Sequence, residues 1–207
     1  MLIEHRGARP EIHESAYVAP SAVLCGAVRI GERARILHGA VLTAEDGEVH
    51  IGVDTVVMEN ALIRGRSAHP ARIGDGVLVG PHAHVNGARV EDEVFVATGA
   101  SLFPGSVAEI GSELRINSVL QINSRLVAGM ALPIGWVGVG DPAELFPPER
   151  HDDIWRIQRE LDFSGTVYGV PRTMSMRDLM RRQADYYGEH RHDRVIGDHP
   201  SPNENSF

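Results

Sequence analysis

The chain has 207 residues, 20 Lys+Arg against 28 Asp+Glu, and a formal net charge of -8. Every basic residue is Arg, which excludes lysine chemistry such as a Schiff base, a pyridoxal phosphate anchor or a P-loop lysine. The acidic balance argues against nucleic acid or an anionic membrane as partner, and the single cysteine, Cys25, excludes a disulfide framework or a Cys-rich metal site.

The opening MLIEHRGARPEIHES carries early charges and no apolar stretch, so it does not read as a signal peptide. No apolar run approaches the roughly 18 residues of a membrane span. A cytoplasmic protein is expected.

Aliphatic residues then recur every six positions: Val18, Leu24, Ile30, Ile36 and Leu42, resuming at Ile51, Val57 and Ile63, and again at Ile73, Val79 and Val85. Val90, Val96 and Leu102 follow, then Ile110, Ile116 and Ile122. Four residues after most of these comes a small or aliphatic one, such as Ala22, Val28, Ala40, Ala61, Ala83 or Ala100. This period fits neither an α-helix nor a simple alternating strand. It fits a triangular coil with one short strand per side, an inward aliphatic on each strand and a small residue at each corner. Coils stack at about 4.8 Å, and about 17 hexads make roughly five to six coils. Extra residues between Leu42 and Ile51, Ile63 and Ile73, and Leu102 and Ile110 are expected to bulge out as loops, where binding groups usually sit.

The aromatic content changes sharply along the chain: only Tyr17, Phe95 and Phe103 precede residue 136. The predicted organisation is a β-helix over 1–146, a helical appendage over 147–190 and a flexible tail over 191–207. One helix is expected from Pro148 to about Asp162, with the segment FSGTVYGVPR as a connector. A second runs from Met176 to Glu189, capped by Ser175, with Met176, Leu179, Met180, Gln183 and Tyr187 as its buried stripe. The unpaired edges and flat faces of such a stack suggest self-association.

Hexapeptide repeats of this form resemble the left-handed parallel β-helix family. The segment VVMENALIRGRSAHPARIGDGVLVGPHAHVNGARV, with the coils around it and the helix after residue 148, resembles the gamma-class carbonic anhydrases over roughly residues 10 to 165. The resemblance implies a trimer with zinc held between subunits by three histidines. The matching positions here are Arg64, Pro81 and Asn86, none of them histidine. An Arg and an Asp of the family become Thr43 and Glu45, and a Gln–Asp pair becomes Met58 and Glu59. Catalytic zinc needs about three protein ligands and one open position, whereas arginine stays protonated and proline has no side-chain donor. The family's metal-bound hydroxide, and with it ordinary carbonic anhydrase activity, is therefore expected to be absent.

The resemblance implies a remodelled cleft at a subunit boundary. Glu59, Arg64, Glu45 and Asn86 are the candidate catalytic residues there. Arg64, Asn86, His82 and Thr43 are the candidates for binding a small carboxylate or thioester. Arg64 would clamp a carboxylate, and Glu59 or Glu45 would act as base. No cofactor is expected. Three alternatives stay open: zinc at a relocated site of His69, His82 and His84; acyl transfer from CoA with His38, His82 or His84 as base; and a non-catalytic trimeric scaffold. The other histidines, His5 and His190 among them, read as solvated surface.

Overall fold

The computed structural model describes residues 1–197; the rest of the predicted tail lies outside the described residues. The chain is mainly β, a parallel β-helix followed by short helices. Its strands form three faces. Ile12, Ile30, Ile51, Ile73, Val90, Ala108 and Leu126 pair in register on face I. Face II is a seven-stranded parallel sheet carrying Val18, Ile36, Val57, Val79, Val96, Leu114 and Leu132. Face III carries Leu24, Leu42, Ile63, Val85, Leu102 and Leu120. The strand Leu2–Glu4 adds one more layer below Leu24.

The inward residues are almost fully buried, Leu24, Leu42, Ile63, Val85, Leu102 and Leu120 all at 0% exposure. Ala22, Ala40, Ala61, Ala83 and Ala100 line one corner, buried to within 1%, because a larger group there would collide with the closing turn. One residue earlier the backbone is left-handed, as at Gly39 (φ 74), Asn60 (φ 58), His82 (φ 57) and Gly99 (φ 69). That conformation favours Gly and Asn, so the small-residue spacing and the turn chemistry agree.

Beyond Leu102 the expected register is corrected. The hexads continue unbroken through Ala108, Leu114, Leu120, Leu126 and Leu132, so no loop interrupts Leu102 to Ile110. Ile110 and Ile116 lie two residues off the ladder, 49% and 46% exposed. The stack is also taller than expected, with seven members on face II alone.

The true breaks in period all fall at the corner between faces III and I. They comprise the long strand Val41–Ile51, the stretch between Leu62–Gly65 and Ala71–Ile73, and a shortened step from His84–Asn86 to Arg89–Val90.

A hairpin partner, Glu144–Phe146, folds antiparallel onto Val137–Val139 and closes the last turn. The chain then runs back along the III–I corner to the first turn. Helix α1 spans His151–Gln158 and buries Ile154. The expected connector contains a second helix, α2, Phe163–Tyr168, capped by the Asp162 side chain. Helix α3 spans Met176–Gly188, and Ser175 caps it by accepting from the Asp178 amide. Its stripe is narrower than expected: Leu179 is buried, while Met176 and Met180 are 68% and 46% exposed. Residues 191–197, expected to be part of a flexible tail, contain regular structure. Arg194–Gly197 pairs antiparallel with Leu2–Glu4, covering an edge that would otherwise be open.

Candidate functional site

Arg64, Thr43 and Asn86 occupy one outward row of face III, where Thr43 pairs with Arg64 and Arg64 with Asn86. Cys25 is the next rung down, opposite Thr43. Parallel pairing in register stacks side chains of one row directly above one another, so this row is a single continuous strip.

The extra residues at the III–I corner and the returning helices enclose a cavity of about 410 Å³ beside the strip, lined among others by Asp46, Arg64, Arg66, His69, Asn86 and Tyr187. Two ties fix its roof. Arg66 donates to Tyr187 Oη (2.6 Å), Gln183 Oε1 (3.3 Å) and the Val167 carbonyl (3.4 Å), and its guanidinium lies 4.4 Å over the Tyr186 ring. Tyr186 Oη donates to Asp46 (2.7 Å), which also accepts from the Ser67 hydroxyl and amide. Burial opposes ionisation of Asp46, but the Tyr186 and Ser67 hydrogen bonds outweigh it and hold the carboxyl below its ordinary range. Burial also lowers the His69 pKa, so this ring is neutral near pH 7.

Arg64 differs from Arg66. Its Nε is buried and makes no hydrogen bond among the described residues; the nearest carboxylate oxygen, Glu45 Oε1, is 3.7 Å away, an ion pair without a hydrogen bond. Glu45 is already engaged. Its side chain is 4% exposed, Oε1 accepts from Thr43 Oγ1 (3.0 Å) and Oε2 from His190 Nε2 (2.9 Å).

Below Arg64 lies a cluster that sequence reasoning missed. His190 Nδ1 meets Asp193 Oδ2 at 2.9 Å and His5 Nδ1 meets Asp193 Oδ1 at 2.6 Å. The His5 and His190 rings stack with centroids 4.3 Å apart. Cys25 Sγ is 3.8 Å from Asp193 Oδ2. His5, expected at the surface, is 2% exposed. Since ionised carboxylates only accept, both His190 nitrogens must donate and the ring is an imidazolium. Burial alone would lower the His190 pKa; the hydrogen bonds to Asp193 and Glu45 outweigh it and hold the pKa above the ordinary imidazole value. Asp193 is held below its ordinary value: burial pushes it up, but the two histidine contacts prevail. Burial, then the Asp193 and Glu45 charges, push the Cys25 thiol up to about 12.

Other expected site residues lie apart. Glu59 sits on the II–III corner, at the far edge of face III from Arg64, where its carbonyl accepts from the His82 amide (3.0 Å). His82 is exposed on the same corner, and Pro81 is beside it. His38 is there too, bonded to Ser21 Oγ at 2.9 Å. His84 points out from the middle of face III and packs edge-on against Phe103; burial and the Arg64 charge lower its pKa. Within one described chain, His69, His82 and His84 do not converge as metal ligands. Asn86 lines the cavity.

The stacked hexads define a hexapeptide-repeat β-helix protein. No protein-family model matches the chain. The chain is 31% identical over 158 residues to an uncharacterised Dictyostelium discoideum protein, covering 74% of this chain and 62% of that one. It is 34% identical over 140 residues to the mitochondrial gamma carbonic anhydrase 1 of Arabidopsis thaliana, covering 65% and 49%. It is 28% identical over 111 residues to a carbonic anhydrase of Geobacillus kaustophilus, covering 54% and 60%. The chain thus spans about half to three fifths of the length of these relatives. Likeness to solved structures is looser, as with a UDP-N-acetylglucosamine O-acyltransferase of Moraxella catarrhalis (TM-score 0.40, 14% identity, 88% of this chain and 90% of that one). The chain is a hexapeptide-repeat β-helix that is similar to the gamma carbonic anhydrases over about two thirds of its own length.

Proposed function

We propose that this protein has lost the family's zinc at Arg64, Pro81 and Asn86 and uses the strip of Arg64 and Asn86 to bind a small carboxylate, free or as a thioester. The donor chemistry at those positions does not fit zinc: guanidinium offers no lone pair and Pro81 no side-chain ligand. The observation that carries the reading is Arg64. Its charge faces a cavity of ligand size, and the neighbouring carboxylate is already engaged by Thr43 and His190. A ligand carboxylate accepting two parallel hydrogen bonds would satisfy the fork that the protein leaves open.

In this reading Glu45 is a positioning residue, holding Arg64 by charge from beneath. Asn86 supplies an amide to a ligand oxygen, and Thr43 holds Glu45. Glu59 and His82 reach the strip only from a second copy of the chain, consistent with an expected homotrimer whose cleft lies at the subunit boundary. There Glu59 would serve as base for attack of water on a thioester carbonyl.

The test is calorimetric titration with mono- and dicarboxylates and short acyl-CoA thioesters. Carboxylate binding that Arg64→Ala removes supports the reading. No binding across the panel, or binding unchanged in Arg64→Ala, refutes it. Stabilisation by free CoA that survives Arg64→Ala would favour acyl transfer instead.

A further inference from the structure

We propose that His5, Cys25, His190 and Asp193 form a closed zinc site within one subunit, two rungs below Arg64 and separate from the family's inter-subunit position. Their ligand atoms all lie within 4.8 Å of one another. The set is two imidazoles, one thiol and one carboxylate, the mixed N/S/O donors that zinc takes in tetrahedral sites. Cys25 is 5% and His5 2% exposed, so a bound ion would be shielded from solvent.

A second, independent observation is the outer partner. A metal-ligating histidine almost always donates its far nitrogen to a carboxylate or carbonyl, which fixes the ring and its tautomer. His190 does so: Nε2 donates to Glu45, itself braced by Thr43, while Nδ1 faces Asp193 and the cluster. With zinc bound, the thiolate and the Asp193 carboxylate together balance the ion's two positive charges.

The proton balance is explicit. His190 gives up its Nδ1 proton and Cys25 its thiol proton, both to solvent, as metal binding requires. His5 offers the ion Nδ1, now 2.6 Å from Asp193 Oδ1, or Nε2, which is buried without a partner among the described residues. The two rings stack 19° from parallel, so one must turn about its Cβ–Cγ bond for both lone pairs to reach a single ion. Nothing in this site depends on the carboxylate reading above, because Arg64 is not a ligand.

The experiment uses the full chain, purified without added metal or a histidine tag, then loaded with Zn²⁺ or Co²⁺ and dialysed. About one ion should be retained per chain, as for a closed four-ligand site. The Co²⁺ form should show a near-ultraviolet thiolate charge-transfer band that Cys25→Ser abolishes. Proton release should accompany loading and shrink in Cys25→Ser. Glu45→Gln should keep the band and weaken affinity about 10–100-fold, the usual effect of losing an outer partner. No retained metal, or retained Co²⁺ without a thiolate band in the wild type, overturns the proposal. Both negative results are read on the wild-type chain and do not depend on any variant folding. Carboxylate binding at Arg64, measured on the same preparations, succeeds or fails separately.

Discussion

Replacing His190 by Gln in metal-free protein tests the charge arrangement beneath Arg64. The imidazolium makes charge-assisted hydrogen bonds to Glu45 and Asp193, both at 2.9 Å. Each such bond contributes about 1.5–3 kcal/mol when desolvated. The Glu45 side chain is 4% exposed, so water cannot replace what it loses; His190 is 33% exposed, so screening discounts its side of the pair. The expected loss is about 2–3 kcal/mol, short of the roughly 3–5 kcal/mol for breaking a fully buried pair. For a chain of this length that lowers the melting temperature by about 4–12 °C.

The pH dependence gives the sign. The folded-state pKa of His190 is raised, so its contribution is fully present below the ordinary imidazole value of about 6.5 and fades as pH rises through the folded value. Asp193 is lowered, so its contribution is present above the ordinary carboxylate value and lost as pH falls through the folded one. Urea unfolding of wild type and His190→Gln, with chelator present, should show the largest gap between these limits and a smaller gap at high pH. A gap below about 0.5 kcal/mol, the range of ordinary surface substitutions, or one unchanged from mildly acidic to alkaline pH, would refute the reasoning.

Four further outcomes are expected. Leu120→Ala should cost about 2–5 kcal/mol, because Leu120 is fully buried; a negligible cost in urea unfolding would mean the register beyond Leu102 is misassigned. Ser112→Ala and Ser118→Ala should each stabilise by about 1 kcal/mol, since both hydroxyls are buried without a partner among the described residues; destabilisation would show that they are hydrogen-bonded. Ile116→Asp should lower the assembly mass in light scattering, because Ile116, Phe95 and Ile134 form an exposed apolar patch on face II; an unchanged mass would place the interface elsewhere. Cys25 in the folded, metal-free protein should resist alkylation near neutral pH, because its thiol stays protonated; labelling as fast as in urea would show that the cluster is open.

The fold was legible because the core is a one-dimensional code, one aliphatic and one small residue per hexad. It became illegible where an inward position is itself small. Ala108 fills the ladder position after Leu102, and Ile110, two residues on, offered a more conspicuous aliphatic that turns out to be exposed. Thr43, Glu45, Arg64 and Asn86 could be placed beside one another because they are local to the repeat. The cluster could not. His5 and Asp193 are 188 positions apart, and neither lies in a periodic segment, so only the return of the chain along the corner brings them together. Cys25 carried a usable signal: it follows Leu24 as Thr43 follows Leu42 and Arg64 follows Ile63, which places it on the same strip.

All departures from the six-residue period occur at one corner, between faces III and I. Two corners keep a constant length and hold the stack together; the third absorbs insertions and a deletion without displacing a single inward side chain. The constant register and the variable loops therefore run along different edges of one prism. Residues can be added or removed at the variable edge while the invariant edges keep the scaffold in register, so a lineage built this way can exchange one ligand for another without having to fold anew.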